Sequence, residues 1–336
     1  MDKKIRNFSA WAYWSLHLAS VELDDPIPGE HEGRDRLDEW LIRVRERLTK
    51  LLGDQQSHVP LDAEFGEPID CGEYTRSRVV YDTEPAMSVP AYLLVPKDRA
   101  TQGPAVLAVH GHGPGKDLIC GLTGAPFEHY AIHLARLGYV VLAPDLRCFG
   151  ERQDPQWEPW THKYDCDWNL VAATMAGVSP LSQNLWDLQR SIDALAEHPL
   201  VDSSRIGVAG LSYGGTMALF LAALDTRVRA AVVSGYVSSW KSAHTVPWNM
   251  CGSQVMFGQL GKIEHVDIAA LIAPRALLVE TGEADELFPL LAATQTMDSL
   301  RRVWGSANSD VLVHAAVVGG HRWHGAMVEE FLGRNL

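Results

Sequence analysis

From residue 104 onward, short apolar runs alternate with amphipathic segments, and this alternation limits the possible folds more than any other feature. The runs that read as buried strands are PAVLAVHG, YVVLAPD, RIGVAG, VRAAVVSG, RALLVETG and DVLVHAAVVGG. Segments with helical periodicity, such as LSQNLWDLQRSIDALAEHP, separate most of them. This alternation predicts an α/β fold whose mostly parallel, doubly wound sheet is covered on both faces. Such sheets bind ligands at the carboxyl ends of their strands.

The segment before residue 104 has a different pattern. Residues 34–53 repeat leucine, valine and tryptophan at helical spacing and end in glycine, which predicts a helix. Two strand-like runs, EYTRSRVVYD and SVPAYLLVPKD, are joined by a short turn and predict an antiparallel hairpin. We therefore expect residues 1–73 to form an N-terminal helical extension that packs on a single α/β domain, residues 74–336.

The composition excludes several kinds of partner. The formal net charge is −13, whereas a nucleic-acid-binding protein needs a basic face. No stretch approaches the ~18 uninterrupted apolar residues of a membrane span. The first twenty residues begin like a signal peptide, but Ser9, Ser15 and His17 interrupt their apolar run. We expect a cytoplasmic protein with no nucleic acid or membrane partner, whose N-terminal segment packs on the core or forms homo-oligomer contacts.

The cysteines do not suggest a disulfide framework. The chain has five of them, scattered and without Cys-x-x-Cys spacing. We expect reduced thiols.

One serine lies between glycines in the segment RIGVAGLSYGGTMALFLAAL. Gly210, Ser212 and Gly214 form a Gly-x-Ser-x-Gly pattern between a predicted strand and a predicted helix. A serine hydroxyl is a weak nucleophile and must be presented to a base and to the substrate together. A sharp strand-to-helix turn achieves this when its neighbours are small. An ordinary glycine-rich turn is the alternative, but the context favours Ser212 as a nucleophile.

The segment VDSSRIGVAGLSYGG resembles the nucleophile region of α/β-hydrolases, in particular the dienelactone hydrolase, acetyl xylan esterase and prolyl-oligopeptidase-like branches. The resemblance covers about residues 75–335, so that residues 74–336 would be an α/β-hydrolase catalytic domain. It implies the chain order Ser, then Asp or Glu, then His, and acyl transfer through an acyl-enzyme. Dienelactone hydrolases themselves carry cysteine at the position of Ser212, which puts that particular activity in doubt.

The resemblance implies an acid in the loop after RALLVETG. Related hydrolases carry Gly-x-x-Asp before an apolar–proline pair, and the matching residues here are Gly282, Asp285, Phe288 and Pro289. This favours Asp285 as the acid of the triad, with Glu283 as the runner-up. Glu280 lies inside the predicted strand and is less suited to reach the site.

The base is expected after the last strand, in VLVHAAVVGGHRWHG. The family pattern of a strand followed by Gly-Gly-His selects His321. His324 is nearby, but we expect it at the start of the final helix. His314 lies within the strand and reads as a packed core residue.

The oxyanion of the reaction needs two backbone N–H donors. Tyr213, the residue after the nucleophile, is expected to supply one. By resemblance to His-Gly-x loops, His112 supplies the other from the segment VHGHGPGKD, where Gly111 and Gly113 allow close approach of the backbone.

The histidine pairs do not predict a metal site. His129 and His133 are one helical turn apart, but Glu128 precedes them, so His-Glu-x-x-His is absent. His110 and His112 have no evident third ligand in the chain. We expect neither a metal nor a cofactor.

Two long stretches, about residues 146–180 and 236–268, interrupt the alternation and predict lid-like insertions. Aromatic side chains there are candidates for substrate binding, because rings stack on sugars and line acyl pockets. These candidates are Trp157, Trp160, Trp168 and Trp248. An equally good interpretation is a small core that holds the loops together.

Together these features predict a serine carboxylesterase with a Ser-His-Asp triad, acting on a small-molecule ester. Short-chain or acetyl esters, sugar esters included, suit an enzyme of this kind. Two other functions stay open. One is a small peptidase or amidase with the same triad, and the other is a non-catalytic ligand-binding protein on a hydrolase scaffold.

Overall fold

The computed structural model describes residues 6–53, 57–154, 165–243 and 249–336. Strands in these residues belong to one ten-stranded sheet. In chain order they are β1 (Glu64–Phe65), β2 (Ile69–Asp70), β3 (Tyr74–Glu84), β4 (Met87–Pro96), β5 (Gly103–Val109), β6 (Val140–Pro144), β7 (Val201–Leu211), β8 (Val228–Ser234), β9 (Ala276–Gly282) and β10 (Leu312–Val317). The order across the sheet is β1-β3-β4-β6-β5-β7-β8-β9-β10, and β2 also pairs with β3.

The α-helices of the described residues lie between and around these strands. They are α1 (Ala10–Ser20), α2 (Gly33–Leu52), α3 (Lys116–Ile119), α4 (Tyr130–Arg136), α5 (Asp165–Ala176), α6 (Pro180–Glu197), α7 (Tyr213–Leu224), α8 (Trp240–Ala243), α9 (His265–Ala270), α10 (Leu290–Trp304) and α11 (Val328–Asn335).

Helices cover both faces of the sheet. Successive residues of a strand point to opposite faces, so each strand contributes side chains to the packing on both. In β5, Ala105, Leu107 and Val109 join a buried cluster with side chains of α2, α6, α7, α9 and α10. Val106 and Ala108 join a second cluster with side chains of α4 and α11. The α/β fold class predicted from the alternating pattern is confirmed.

The direction of the chain changes across the sheet. Strands β5 to β10 run parallel to one another. Strand β4 pairs antiparallel with β6, and β3 pairs antiparallel with β4. From β5 the chain moves to β6 on one side and later returns to β7 on the other. Ligand sites of doubly wound sheets lie at such a point, outside the carboxyl ends of the strands.

Helix α2 is anchored in the core of the α/β domain. Its side chains Trp40, Val44 and Leu48 are fully buried in the cluster on its face of the sheet. The helix ends at Gly53, which has φ of 82° and donates its N–H to the Thr49 carbonyl oxygen. Helix α1, by contrast, buries none of its residues.

The strands β1 and β2 lie before residue 74 and pair with β3 of the main sheet. The division of the chain at residues 73 and 74 and a homo-oligomer contact through the N-terminal segment stay predictions.

Parts of both predicted insertions are described. Helix α5 belongs to the first, and α8 and α9 belong to the second. The predicted substrate-binding residues Trp157, Trp160 and Trp248 lie outside the described residues. Among the helices given above, none combines the length and the apolar character that are needed to cross a membrane.

Candidate active site

Ser212 lies in a strained turn between β7 and α7. Its φ of 59° and ψ of −117° are unusual for a residue with a side chain. Two glycines make room for this turn. A Cβ on Gly210 would lie 2.2 Å from the Gly214 carbonyl oxygen, and one on Gly214 would lie 1.9 Å from the Val109 carbonyl oxygen. The Gly-x-Ser-x-Gly pattern therefore has a steric cause in the backbone.

The Ser212 hydroxyl occupies the N-cap position of α7 without capping it. Serine at this position ordinarily accepts a hydrogen bond from the first turn of the helix. Within the described residues the Ser212 side chain makes no such bond. The Ser212 N–H instead donates to the Ser234 carbonyl oxygen at 2.9 Å, which fixes the turn against β8. The hydroxyl is left available beside the free N–H groups of a helix N-terminus.

Asp285 and His321 are hydrogen-bonded, with 2.8 Å between Asp285 Oδ2 and His321 Nδ1. Asp285 is 4% exposed. Its other oxygen, Oδ1, accepts from the backbone N–H groups of Leu287 and Phe288. A carboxylate with only acceptor sites requires the proton to be on His321 Nδ1. The imidazole is thereby oriented with Nε2 free to act as a base.

The His321 ring lies over the strand end that carries Ser234. A Cβ on Gly235 would lie 3.2 Å from His321 Nδ1 and 3.1 Å from its Cε1. The preceding residue, Ser234, holds the Ser212 N–H through its carbonyl oxygen. Among the described residues there is no hydrogen bond between the Ser212 hydroxyl and His321. Bonds of this kind are frequently long in free enzymes and shorten in the complex with substrate.

The other acids and histidines near this loop have different environments. Glu283, the runner-up acid, is exposed. His324 is held by contact of its Nε2 with the Gly320 carbonyl oxygen. Burial lowers the pKa of His314, which contacts Thr281 Oγ1 within the sheet. Among the acidic residues that the structure describes, Asp285 alone is both buried and hydrogen-bonded to His321.

Glu280 has a role that sequence reasoning missed. It is 1% exposed and accepts three hydrogen bonds, from the Ser234 hydroxyl and from the N–H groups of His324 and Ala326. Because Ser234 also holds Ser212, Glu280 connects the serine turn to the loop that carries His321. In the sequence, the signal for this role of Glu280 was that it is a single acidic residue inside an apolar run.

The loop after β5 approaches the serine turn closely. A Cβ on Gly111 would lie 3.0 Å from the Leu211 carbonyl oxygen and 3.5 Å from Ser212 Cβ. This proximity puts the backbone of the loop, at the residue before His112, beside Ser212. The His112 ring packs against those of Phe149 and Tyr213, with centroids 5.3 Å and 4.9 Å away. The two predicted oxyanion donors, the N–H groups of Tyr213 and His112, remain predictions.

His110, the residue before Gly111 in this loop, is a buried structural residue. Its Nε2 accepts from the Leu146 N–H at 3.0 Å, and its Nδ1 contacts the Gly111 carbonyl oxygen at 2.6 Å. Burial lowers the pKa of the ring, which keeps it neutral. Both ring nitrogens are therefore occupied by the backbone.

A buried ion pair braces the same loop. Lys116 Nζ donates to Asp145 Oδ2 and to Glu151 Oε1, each at 2.6 Å. The neighbouring Arg78 and Lys116 lower the pKa of Glu151 to about 2. These contacts join the loops that follow β5 and β6.

Of the predicted substrate-binding tryptophans, Trp168 is described. It lies on α5 and is 63% exposed. Its role in substrate binding stays a prediction, as do those of Trp157, Trp160 and Trp248.

Structural neighbours define the class of the fold. A protein of Bacteroides fragilis NCTC 9343 described as a "putative acetyl xylan esterase" matches with a TM-score of 0.81 at 16% identity, over 98% of this chain and 96% of that one. The glucuronoyl esterase of Solibacter usitatus matches with a TM-score of 0.65 at 15% identity, over 87% of this chain and 91% of that one. The chain has the α/β-hydrolase fold.

Sequence comparison gives the family. The model of the dienelactone hydrolase family matches residues 89–303, and the chain belongs to that family. It is also 29% identical over 287 residues to a Bacillus subtilis (strain 168) protein named "Putative hydrolase YtaP", covering 82% of this chain and 92% of that protein. The protein is a carboxylic ester hydrolase.

Proposed function

We propose that this protein is a serine esterase that removes acetyl or other short acyl groups from esters, sugar esters among them. Ser212 would be the nucleophile, His321 the general base and Asp285 the orienting acid. The observation that carries the proposal is the hydrogen bond between buried Asp285 and His321, at the same edge of the sheet as the strained, uncapped Ser212.

In the first step, His321 Nε2 takes the proton of the Ser212 hydroxyl as Oγ bonds to the carbonyl carbon of the ester. The tetrahedral intermediate collapses when its bond to the alcohol oxygen breaks. His321 returns the proton to that oxygen, and the alcohol leaves. The acyl group is then esterified to Ser212.

In the second step, His321 takes a proton from water as the water oxygen bonds to the acyl carbon. The bond to Ser212 Oγ breaks, and His321 returns the proton to the serine. Asp285 keeps the proton on Nδ1 and stabilises the imidazolium that forms twice in each cycle. The carboxylic acid is released.

The negative charge on the carbonyl oxygen needs donors that are already in place. The N–H of Tyr213 at the start of α7 and the N–H of His112 are the proposed pair. The approach of Gly111 to Ser212 supports this assignment. Loss of one such donor typically lowers the rate by ~10²–10³.

Two observations favour sugar esters as substrates. The names of two structural neighbours refer to acetyl xylan and to glucuronoyl esters, both of which are sugar esters. Trp168 exposes a large aromatic surface on the first insertion, and such rings stack on sugar faces. Short acyl groups are favoured because relatives named for acetyl esters share the fold.

The test combines a covalent probe with a substrate panel. Wild-type protein is expected to be labelled by a fluorophosphonate and to hydrolyse p-nitrophenyl acetate faster than the butyrate or octanoate. Ser212→Ala should lose the labelling and lower kcat by ~10⁴-fold or more. Ser309→Ala is the matched control, because that hydroxyl is exposed and donates to the Ser306 carbonyl oxygen.

Acetylated xylo-oligosaccharides and aminoacyl p-nitroanilides complete the panel. Faster cleavage of the anilides would replace the esterase by an amidase with the same triad. Absence of labelling in the folded wild-type protein would refute the proposal that Ser212 is the nucleophile. Hydrolysis of aryl acetates without release of acetate from the sugars would refute the sugar ester proposal alone.

A further inference from the structure

Three side chains with metal-binding atoms converge where the loop after β5 meets the two insertions. One ligand atom each of His112, Cys166 and Cys251 lies within 4.8 Å of the other two. His112 follows β5, Cys166 begins α5 in the first insertion, and Cys251 belongs to the second insertion. Because these residues are far apart in the chain, the sequence pattern gave no evident third ligand for His112.

The backbone holds the two cysteines near each other. Leu170 is one helical turn after Cys166 on α5 and therefore shares its face. A Cβ on Gly252, the neighbour of Cys251, would lie 2.2 Å from Leu170 Cδ2. A side chain at residue 252 would force Leu170 to move, so glycine suits this close approach of the second insertion to α5. The Ser179 hydroxyl also donates to the Val255 carbonyl oxygen at 3.0 Å, which ties the two insertions together again.

Further hydrogen bonds fix the loop of Cys251 to the catalytic domain. The Cys251 N–H donates to Gln254 Oε1 at 3.2 Å. Gln254 Nε2 in turn donates to Thr216 Oγ1 on α7 at 2.9 Å. Gln254 is buried, so this contact is shielded from water. The position of Cys251 is thus set by α7, the helix that starts at the nucleophile.

The imidazole of His112 is held by ring packing and is reachable from solvent. Phe149 and Tyr213 flank the ring, while the residue itself is exposed. Cys166 is buried and Cys251 is half-buried. The sulfur side of this cluster is therefore shielded from water, whereas its imidazole side is open to solvent.

We propose that His112, Cys166 and Cys251 bind a zinc ion, with water or another small ligand in the fourth position. Zinc takes cysteine sulfur at about 2.3 Å and histidine nitrogen at about 2.0–2.1 Å in tetrahedral sites, which puts its ligands about 3.5–3.8 Å apart. The observed spread of 4.8 Å or less is close to this arrangement. Two thiolates and a neutral imidazole balance the charge of Zn²⁺, which suits a partly buried site.

The donor set also selects the kind of metal. Magnesium and calcium take oxygen ligands, whereas thiolate and imidazole suit zinc. A bound zinc ion would join the loop after β5 to both insertions. It would thereby hold the covering segments in place above the strand ends, next to the backbone of His112.

The test uses reduced, full-length protein without a polyhistidine tag. After equilibration with zinc sulfate and desalting, metal analysis is expected to find one zinc per chain. Competition with a chromophoric chelator should show binding at least about tenfold weaker in Cys166→Ser and in Cys251→Ser. Cys71→Ser is the matched control, since Cys71 is half-buried and contacts the Ile69 carbonyl oxygen away from the cluster.

Cobalt(II) gives a measurement that needs no variant. Its addition to wild-type protein should produce thiolate-to-cobalt charge-transfer absorption in the near ultraviolet, and zinc should displace it. The proposal is overturned if the reduced protein binds no zinc. It is also overturned if cobalt binds without the thiolate band, or if folded Cys166→Ser and Cys251→Ser variants bind zinc as tightly as Cys71→Ser.

Discussion

Buried carboxylates occur in two regions that hold them differently. One region is the carboxyl ends of β9 and β10 with the loops that follow them, and the other is the second insertion, residues 236–268. Asp285 accepts from His321 and from two backbone N–H groups, and Glu280 accepts three hydrogen bonds. In the second insertion, burial raises the pKa of Glu264 and of Asp267 to about 7. Asp267 Oδ1 has no hydrogen-bond partner among the described residues.

The difference indicates which buried carboxylates are compensated by hydrogen bonds and which make the stability of the protein depend on pH. A buried carboxylate costs free energy unless donors compensate the water it loses. At the strand ends, neighbouring loops of one sheet supply those donors and at the same time orient the proposed catalytic groups. The second insertion has fewer donors for its buried acids. The stability of this insertion therefore depends on the protonation of its buried acids. In our proposal it also depends on a metal ion shared with the first insertion.

The largest effect that tests this comparison is expected at Asp285. In Asp285→Asn, Oδ1 keeps the two backbone N–H groups, so that the amide NH₂ faces His321 Nδ1. The imidazole then carries its proton on Nε2 and is no longer a base. We expect kcat for p-nitrophenyl acetate to fall by ~10⁴-fold while the melting temperature changes little.

Glu283→Gln is the control for Asp285→Asn, because Glu283 is another acid of the same loop and is exposed. Its kcat should match that of the wild type. An equal loss in both variants would contradict the assignment of Asp285 as the acid.

A smaller effect is expected at Glu280, which acts through the positions of Ser212 and His321. The amide of Glu280→Gln presents an NH₂ group to backbone N–H donors or to the Ser234 hydroxyl, so part of the network is lost. A shift of catalytic groups by about 1 Å costs ~10²-fold in rate. We expect kcat to fall by that order with KM nearly unchanged.

The exposed Glu286 of the neighbouring loop provides the control, Glu286→Gln. Circular dichroism and melting temperature separate misplacement from unfolding. If Glu280→Gln lowers the melting temperature but leaves kcat at the wild-type value, the carboxylate supports the fold and does not position the triad.

The smallest effect concerns stability in the second insertion. The folded-state pKa of Glu264 is about 7, above its ordinary value of 4.5. Between these values the folded state binds more protons than the unfolded state, so this group makes stability fall as pH rises. Glu264→Gln cannot ionise, and it keeps an oxygen that accepts from Trp240 and His265. We expect the urea midpoint to drop less between pH 5 and pH 8 in the variant than in the wild type.

The control is Glu22→Gln, because Glu22 is exposed. The urea midpoint of this variant should depend on pH as that of the wild type does. Equal drops in all three proteins would mean that Glu264 does not cause the loss of stability. The contrast between the strand-end loops and the second insertion would then be wrong.

Much of the fold follows from local patterns in the sequence. Buried strands and amphipathic helices leave a periodic signal, because each residue's face is set by the geometry of its own element. Helix α2 accordingly begins and ends within one residue of the range predicted from leucine and valine spacing. The turn at Ser212 is only partly local: Gly210 clears space for the Gly214 carbonyl oxygen, whereas Gly214 clears space for the Val109 carbonyl oxygen of β5.

The partners of the site were less accessible to sequence reasoning. Motif resemblance favoured Asp285 over Glu283 and Glu280, but the three acids lie within one short segment. Their environments separate them: one is bonded to His321, one is exposed, and one is buried among backbone N–H groups. Burial of this kind depends on loops from β8 and β10, which the segment itself does not contain.

The sequence by itself determined the strand and helix pattern, and it predicted a nucleophile, an acid and a base in that order along the chain. Only the tertiary structure decided that Glu280 connects the serine turn to the histidine loop, and that Cys166 and Cys251 meet His112. The physical reason is that periodicity is set by neighbours in the chain. The meeting of two insertions above a sheet depends on packing between distant segments, and no local pattern encodes it.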